Sequence, residues 1–513
     1  MIRCKKGIGL ALFFVGFALH ANTAHAVIPQ LLGPLSALLS ILPQILAFVG
    51  IALLAIFKPA TYRLVFSYAR DFAVKYKAVA AVIGVAIVGG LAWLTYDAFQ
   101  PKQTTVQATV KPTALTGSDS ARSSQAAWPG FRGGAARTGH ADSVPGPKEA
   151  SLAWIFEERD ALLADFSSSP TVVGDRVYIS GAKGSVFSSG GTVYCLDANT
   201  GERIWQYPSP IQMFSSPTVV DGRVYVGEGF HQDTDCSLHC IDAATGNSIW
   251  DFQTKSHVES SAFVSQGKVY FGAGDDGVYC VDAVDGAEIW HYADIHVDAS
   301  PLVWNGVVYF GTGYGSYRVY AVDAYTGEEL WAEAVDSPVW GSPCAHENLV
   351  FFGLGNGNFL ESAANPTGGV VAFNARTGKQ AWDYEVGDAV LTAVAYRDGF
   401  VYFGSRDGHL YALNAEAGEL RWKSPIGSAV VSSPAVTESA VYVGANNGYL
   451  YSININDGQP LWQFDTSLVA NGEPIFSSPA IANGRLYVGS KDRYVLCLGE
   501  KITPSAPLQI EDR

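Results

Sequence analysis

The chain has 513 residues, of which 54 are glycine, 12% are aromatic and only 16% are charged. That composition suits a large all-β protein with many tight turns. Residues 1–127 carry 11 Lys+Arg against 3 Asp+Glu, whereas the rest carry 22 against 45, a net of −23. A surface so acidic repels phosphate backbones, which argues against a nucleic-acid partner, and it discourages self-association in crowded surroundings.

The first 26 residues read as a signal peptide. Arg3, Lys5 and Lys6 precede an apolar run from Gly7 to Leu19, and Ala24-His25-Ala26 offers the small residues of a cleavage site. Cys4 precedes the apolar run, so this is not a lipoprotein signal. Residues 27–99 are expected to form a transmembrane hairpin, with helices at about 35–57 and 78–96 and a loop at 58–77. Each apolar stretch is long enough to cross a bilayer, which takes about 20 helical residues. Pro43 is tolerable where neighbouring packing covers the freed backbone. The loop holds Lys58, Arg63, Arg70, Lys75 and Lys77 against Asp71 alone, which makes it cytoplasmic. Everything after the second helix is then expected outside the inner (cytoplasmic) membrane, on the periplasmic or extracellular side. Residues 100–127, rich in Thr, Ser, Ala and Gln, read as a flexible linker, and 501–513 as a tail.

Residues 128–500 are repetitive. The unit runs S-S-P-x-V, V-Y-x-G, a Gly/Asp/Asn turn, V-Y-[AC]-[LV]-[DN]-A and T-G-x-x-[IL]-W, which predicts four short strands per unit. Turn pairs such as Asp276-Gly277, Asp407-Gly408 and Asn447-Gly448 supply the positive φ of two-residue hairpins. Trp205, Trp250, Trp290, Trp331, Trp382, Trp422 and Trp462 close successive units at intervals of 40–51 residues, the period of a propeller. The first-strand motif occurs eight times, at Ser169-Pro170, Ser216-Pro217, Ser261-Ala262, Ser300-Pro301, Ser342-Pro343, Thr392-Ala393, Ser433-Pro434 and Ser478-Pro479. The eighth unit lacks its own Trp strand, while Ser151-Leu152-Ala153-Trp154 precedes the first motif and has no other blade to join. The expectation is an eight-bladed β-propeller closed by that N-terminal strand, which removes exposed edges.

Lines such as Val193-Tyr194-Cys195-Leu196-Asp197-Ala198-Asn199-Thr200-Gly201 and Val319-Tyr320-Ala321-Val322-Asp323-Ala324-Tyr325-Thr326-Gly327 resemble the pyrroloquinoline-quinone-like (PQQ-like) repeat propeller family over about residues 151–498. Trp128-Pro129-Gly130-Phe131-Arg132-Gly133-Gly134 resembles a lead-in of some bacterial members, expected to pack the entering chain onto the propeller. The resemblance implies one of two roles. Quinoprotein dehydrogenases hold the quinone on the axis with a stacking Trp, acidic calcium ligands, a catalytic Asp and adjacent cysteines; scaffold members of the outer-membrane assembly type bind proteins. Here no two cysteines adjoin and no C-x-x-C-H occurs. Cys195, Cys240, Cys280 and Cys497 share one repeat position with Ala321, Ala372 and Ala412, as small core residues do. Cys236, four residues from Cys240, leaves a local disulfide open.

In the family, the residues ahead of each Ser-Pro border the central channel. Three before the Pro, or its replacement, stand Ser167, Phe214, Glu259, Asp298, Trp340, Val390, Val431 and Phe476. Five before stand Asp165, Gln212, His257, His296, Pro338, Asp388, Ala429 and Pro474. An extended backbone puts both rows on one face. His257, Glu259, His296 and Asp298 are therefore candidate metal ligands and Trp340 a candidate cofactor platform; a solvated polar rim is the alternative. Val390 and Val431 occupy positions where a dehydrogenase places ligands. The long segment Gly353 to Gly369 in blade five reads as a surface excursion suited to recognition. Gly311-Thr312-Gly313-Tyr314-Gly315 falls in a hairpin, so no phosphate loop is expected. The expected function is a membrane-anchored, non-catalytic scaffold without catalytic residues or cofactor, binding other envelope proteins. The rival is a dehydrogenase of alcohols or sugars using PQQ and calcium, with Glu259 and Asp298 on the metal and Trp340 under the quinone.

Overall fold

The computed structural model describes residues 128–500, apart from 135, 136, 142, 143, 162, 186, 187 and 232. The expected signal peptide, hairpin, linker and tail lie outside the described residues. Among those described, no helix is long and apolar enough to cross a membrane.

The described residues form eight antiparallel sheets. Blade three shows the common plan: Phe263–Ser265, Lys268–Gly272, Val278–Asp282 and Glu288–Tyr292 pair in sequence, with Tyr270 opposite Cys280 and Cys280 opposite Trp290. The pairing slips by one residue just before the Trp, a bulge repeated in every blade with an outer Trp strand. Blade one departs from four strands. Its central hairpin, Arg176–Ser185 and Ser188–Asp197, is long enough to leave a free edge that Leu163–Asp165 takes up as a fifth strand.

Closure is as the sequence predicts. Leu152–Glu157 pairs with Tyr494–Leu498 in blade eight, and Trp154 stands opposite Cys497. The consensus has a physical reason. Seven of the eight outer-strand Trp indoles donate their N–H to a backbone carbonyl of the next blade, for example Trp154 to Ala198 at 2.9 Å, Trp205 to Ala243 at 3.1 Å and Trp331 to Ala375 at 2.9 Å. The T-G turn of that next blade sits against the same indole. Gly201 has φ +74, and a Cβ there would lie 2.5 Å from Trp154, so only glycine fits. Trp462 has no such turn ahead of it and bonds instead to Pro147 of the lead-in at 3.1 Å.

A second lock runs around the axis. The N–H of each motif serine meets the next blade's serine hydroxyl, from Ser169 to Ser216 (2.9 Å) through Ser478 back to Ser169 (2.9 Å). The ring breaks once, where Ala393 offers Ser342 no hydroxyl. This bonding also corrects the alignment of blade six. Thr392 Oγ1 bonds Gly404 as Ser432 Oγ bonds Gly444 and Ser477 Oγ bonds Gly489. Ala393-Val394 is thus the Ser-Pro equivalent, one residue later than Thr392-Ala393.

Cys195, Cys240, Cys280 and Cys497 are fully buried core residues. Cys236 and Cys240 are both free, so the local disulfide does not form. The lead-in crosses one end of the axis. Trp128 bridges Val172 in blade one, Arg137 donates to Ser261 and Ala262 in blade three, Thr138 accepts from Tyr396 in blade six, and Arg132 donates to Pro434 in blade seven. It packs the entering chain onto the ring, as its sequence suggests, and Phe131 forms part of the floor of the axial cavity.

Candidate functional site

The axis holds a cavity of about 480 Å³, with the serine ring and Phe131 among its lining. Its wall is made by the residues immediately ahead of each inner strand, so the repeat itself positions the site. Seven of the eight residues of the first row line it: Ser167, Phe214, Glu259, Asp298, Trp340, Val431 and Phe476. Val390 does not. The one-residue shift in blade six turns it into the core between blades and puts Leu391 on the cavity. For the same reason Asp388 leaves the channel row; it is buried and accepts from Ser362 Oγ.

The cavity has two chemically distinct sides. Trp340, Leu391, Val431 and Phe476 pack together as an apolar wall with Ala389. On the other side Glu259 and Asp298 line the cavity, while His257 and His296 stand behind them, outside the lining. Asp298 Oδ1 lies 2.9 Å from His257 Nε2, and Asp298 Oδ2 lies 2.7 Å from His296 Nε2. His296 Nδ1 reaches Asp275 at 2.7 Å, and His257 Nε2 is 3.7 Å from Glu259 Oε1. His231 joins them from the irregular loop of blade two, with Nδ1 3.3 Å from Glu259 Oε1 and its backbone N–H donating to the same oxygen at 2.5 Å. Sequence reasoning missed His231 because it lies outside the repeat; its proximity to Asp233 and Cys236 in an irregular stretch was the only signal.

The charges are strongly interdependent. Burial alone would raise the Asp298 carboxyl, but hydrogen bonds from His257 and His296 hold it far below the usual carboxylate range. Burial opposes the His296 cation, yet Asp298 and then Asp275 raise its pKa to about 9. Burial, reinforced by Asp298, pushes Glu259 up to about 7, and burial chiefly lowers His231. The cluster thus favours a carboxylate–imidazolium pair at Asp298 and His296, and beside it a Glu259 carboxyl that burial and Asp298 make harder to ionise than usual.

Loops carry apolar side chains around the mouth. Phe230, Tyr314, Phe359 and Leu360 all line the cavity yet are 43–57% exposed. Phe359 and Leu360 belong to the blade-five insertion, which reaches across the mouth. Arg406 of blade six donates to Asn358 O (2.7 Å) and Leu360 O (3.2 Å), Asn446 of blade seven donates to Phe359 O (3.0 Å), and the Phe359 ring lies 5.9 Å from that of Phe476.

A family model described as outer membrane protein assembly factor BamB matches residues 189–360 and 366–501. The chain belongs to the PQQ-like propeller family. It is 34% identical over 127 residues to the quinohemoprotein alcohol dehydrogenase ADH-IIG of Pseudomonas putida, covering 21% of this chain and 16% of that one. It is 32% identical over 152 residues to the dehydrogenase subunit of a quinone-linked alcohol dehydrogenase of Komagataeibacter europaeus, covering 23% and 20%. The chain thus matches no more than a fifth of the length of either relative. Among solved structures, BamB of Moraxella catarrhalis is similar with a TM-score of 0.52 and 20% identity, over 68% of this chain and 99% of that one. The quinohemoprotein dehydrogenase ADHIIG gives 0.55 and 16%, over 74% and 81%. At these identities PQQ-like propellers of both kinds share the fold with this chain, and the fold alone carries no activity.

Proposed function

We propose that this propeller is a non-catalytic scaffold of the cell envelope, held at the cytoplasmic membrane, that docks protein partners over the mouth of its axial cavity. The observation behind this reading is the exposure of Phe230, Tyr314, Phe359 and Leu360 on three loops around one opening. Large apolar side chains gathered on loops of a rigid ring are how protein-binding surfaces are built.

The rival reading is a quinone-dependent dehydrogenase, favoured by Trp340, Glu259 and Asp298 lining one cavity. The donor set fits the quinone–calcium pair poorly. Calcium takes about six to eight oxygen ligands. Both Asp298 oxygens already face imidazoles, one Glu259 oxygen faces His231, and the opposite wall is Leu391, Val431 and Phe476. None of the described cysteines lines the cavity.

A photo-crosslinking amino acid placed at Phe359 in the full chain, in native membranes, tests the scaffold. The expected result is a discrete protein adduct that is absent when the probe sits at Val284, 67% exposed but remote from the cavity lining. Equal labelling from both positions, or none from Phe359, overturns it. Dye reduction by alcohols or sugars after reconstitution with PQQ and calcium would instead establish the dehydrogenase.

A further inference from the structure

His231, Glu259 and Asp298 line the cavity from three successive blades, and His257 stands buried behind them, in contact with both carboxylates. Glu259 Oε1 lies 3.3 Å from His231 Nδ1 and 3.7 Å from His257 Nε2, which in turn lies 2.9 Å from Asp298 Oδ1. One ligand atom each of His231, His257 and Asp298 falls within 4.8 Å of the others. Two ligands on a tetrahedral ion, each at about 2.0–2.1 Å, stand about 3.3 Å apart. His231, His257 and Asp298 are thus placed to close around one ion by side-chain movement, with Glu259 adjoining the two imidazoles.

His257 Nε2 bonds Asp298 Oδ1 at 2.9 Å, but hydrogen bonding serves the Glu259 end of the convergence less well. Two imidazole nitrogens face the same Glu259 oxygen, although that oxygen already accepts the His231 backbone N–H. The surroundings are those of a held ligand set. Asp298 Oδ2 meets His296 Nε2 at 2.7 Å, His296 Nδ1 meets Asp275 Oδ1 at 2.7 Å, and Ser256 Oγ lies 3.3 Å from His257 Nδ1. Such outer partners orient metal-bound imidazoles and carboxylates. Two imidazoles with two carboxylates suit a zinc-class ion and not a hard, oxygen-seeking one.

We propose that His231, His257, Glu259 and Asp298 form a divalent transition-metal site of the zinc class at the cavity mouth, with His296 as a positioning residue. This differs from the ligand set predicted from sequence: both ring nitrogens of His296 are occupied by carboxylates, and His231 takes its place. The ion ties the loop bearing Phe230 and His231 to blades three and four. The site stands whether or not the mouth docks a partner.

The test uses the untagged full-length chain in detergent, stripped with chelator and dialysed against zinc, then against cobalt(II). One zinc per chain is expected, and cobalt should give the visible absorption of a four-coordinate nitrogen–oxygen site. His257→Ala should abolish binding. Because His257 is buried, the decisive variants are His231→Asn, whose side chain is 43% exposed, and Glu259→Gln, each with its metal-free fold checked by near-UV circular dichroism. Each should weaken zinc at least about tenfold, and His296→Gln should weaken it about 10–100-fold with stoichiometry kept. No zinc uptake, unchanged affinity in His231→Asn and Glu259→Gln, or a preference for calcium would overturn the site.

Discussion

At the scale of single residues, the most consequential buried charge outside the cavity is His239. It lies in Ser237–Asp242 of blade two, with Nδ1 2.6 Å from Asp251 and Nε2 3.0 Å from Glu228. Burial works against its charge, but the hydrogen bond to Asp251 and then the Glu228 carboxylate raise its pKa to about 9. A cation favoured by folding stabilises fully below its ordinary pKa of about 6.5, and that stabilisation disappears as pH rises through about 9. Urea unfolding at pH 6 and at pH 9.5 should therefore show the wild type losing on the order of 2–3 kcal/mol more than His239→Gln. Equal losses would mean the imidazole is neutral in the folded chain. The serine ring offers a second single-residue test. Ala393→Ser supplies the missing hydroxyl to Ser342 and should stabilise by about 0.5–1.5 kcal/mol, whereas Ser300→Ala strands the Ser261 N–H and should cost about 1–3 kcal/mol. If Ala393→Ser destabilises, the gap at blade six is filled by packing.

At the scale of elements, the repeat was legible because its marks are local and chemically forced. The Trp needs a carbonyl on the next blade, and the turn glycine needs room against that Trp, so both recur at a readable interval. Blade six shows where this ends. With Val394 in place of Pro, the run Ala389-Val390-Leu391-Thr392-Ala393 contains no residue that fixes register, and a slip of one exchanges core for cavity. His231 and the blade-five insertion escaped for another reason: their positions depend on contacts with other blades. The insertion was readable as an excursion, but its course across the mouth is set by Arg406 and Asn446, about 50 and 90 residues away. Arg406→Ala should therefore release it. Amide exchange across 356–367 should rise at least tenfold while the urea midpoint moves little, since loops open locally at low cost. Unchanged exchange would show that Asn446 and the Phe359–Phe476 contact hold the segment without Arg406.

At the scale of the whole molecule, the propeller is a ring in which every blade is held by the next, so its stability depends on the one join that links the two ends of the repeat. That join is Leu152–Glu157 on Tyr494–Leu498, more than 300 residues away in sequence. Trp154 serves it twice, by pairing opposite Cys497 and by donating to Ala198 of blade one. Replacing a buried Trp by Ala costs about 3–5 kcal/mol, so Trp154→Ala and Trp331→Ala should lower stability alike. They should differ in where the ring opens. Loss of Trp154 should fray the closing strand and admit a thiol reagent to Cys497, which is fully buried in the intact ring, with mass spectrometry locating the label. Loss of Trp331 leaves the join intact, and Cys497 should stay protected. If Cys497 is equally protected in both variants under native conditions, the ring is sealed by the serine lock and the lead-in, and the closing strand is secondary.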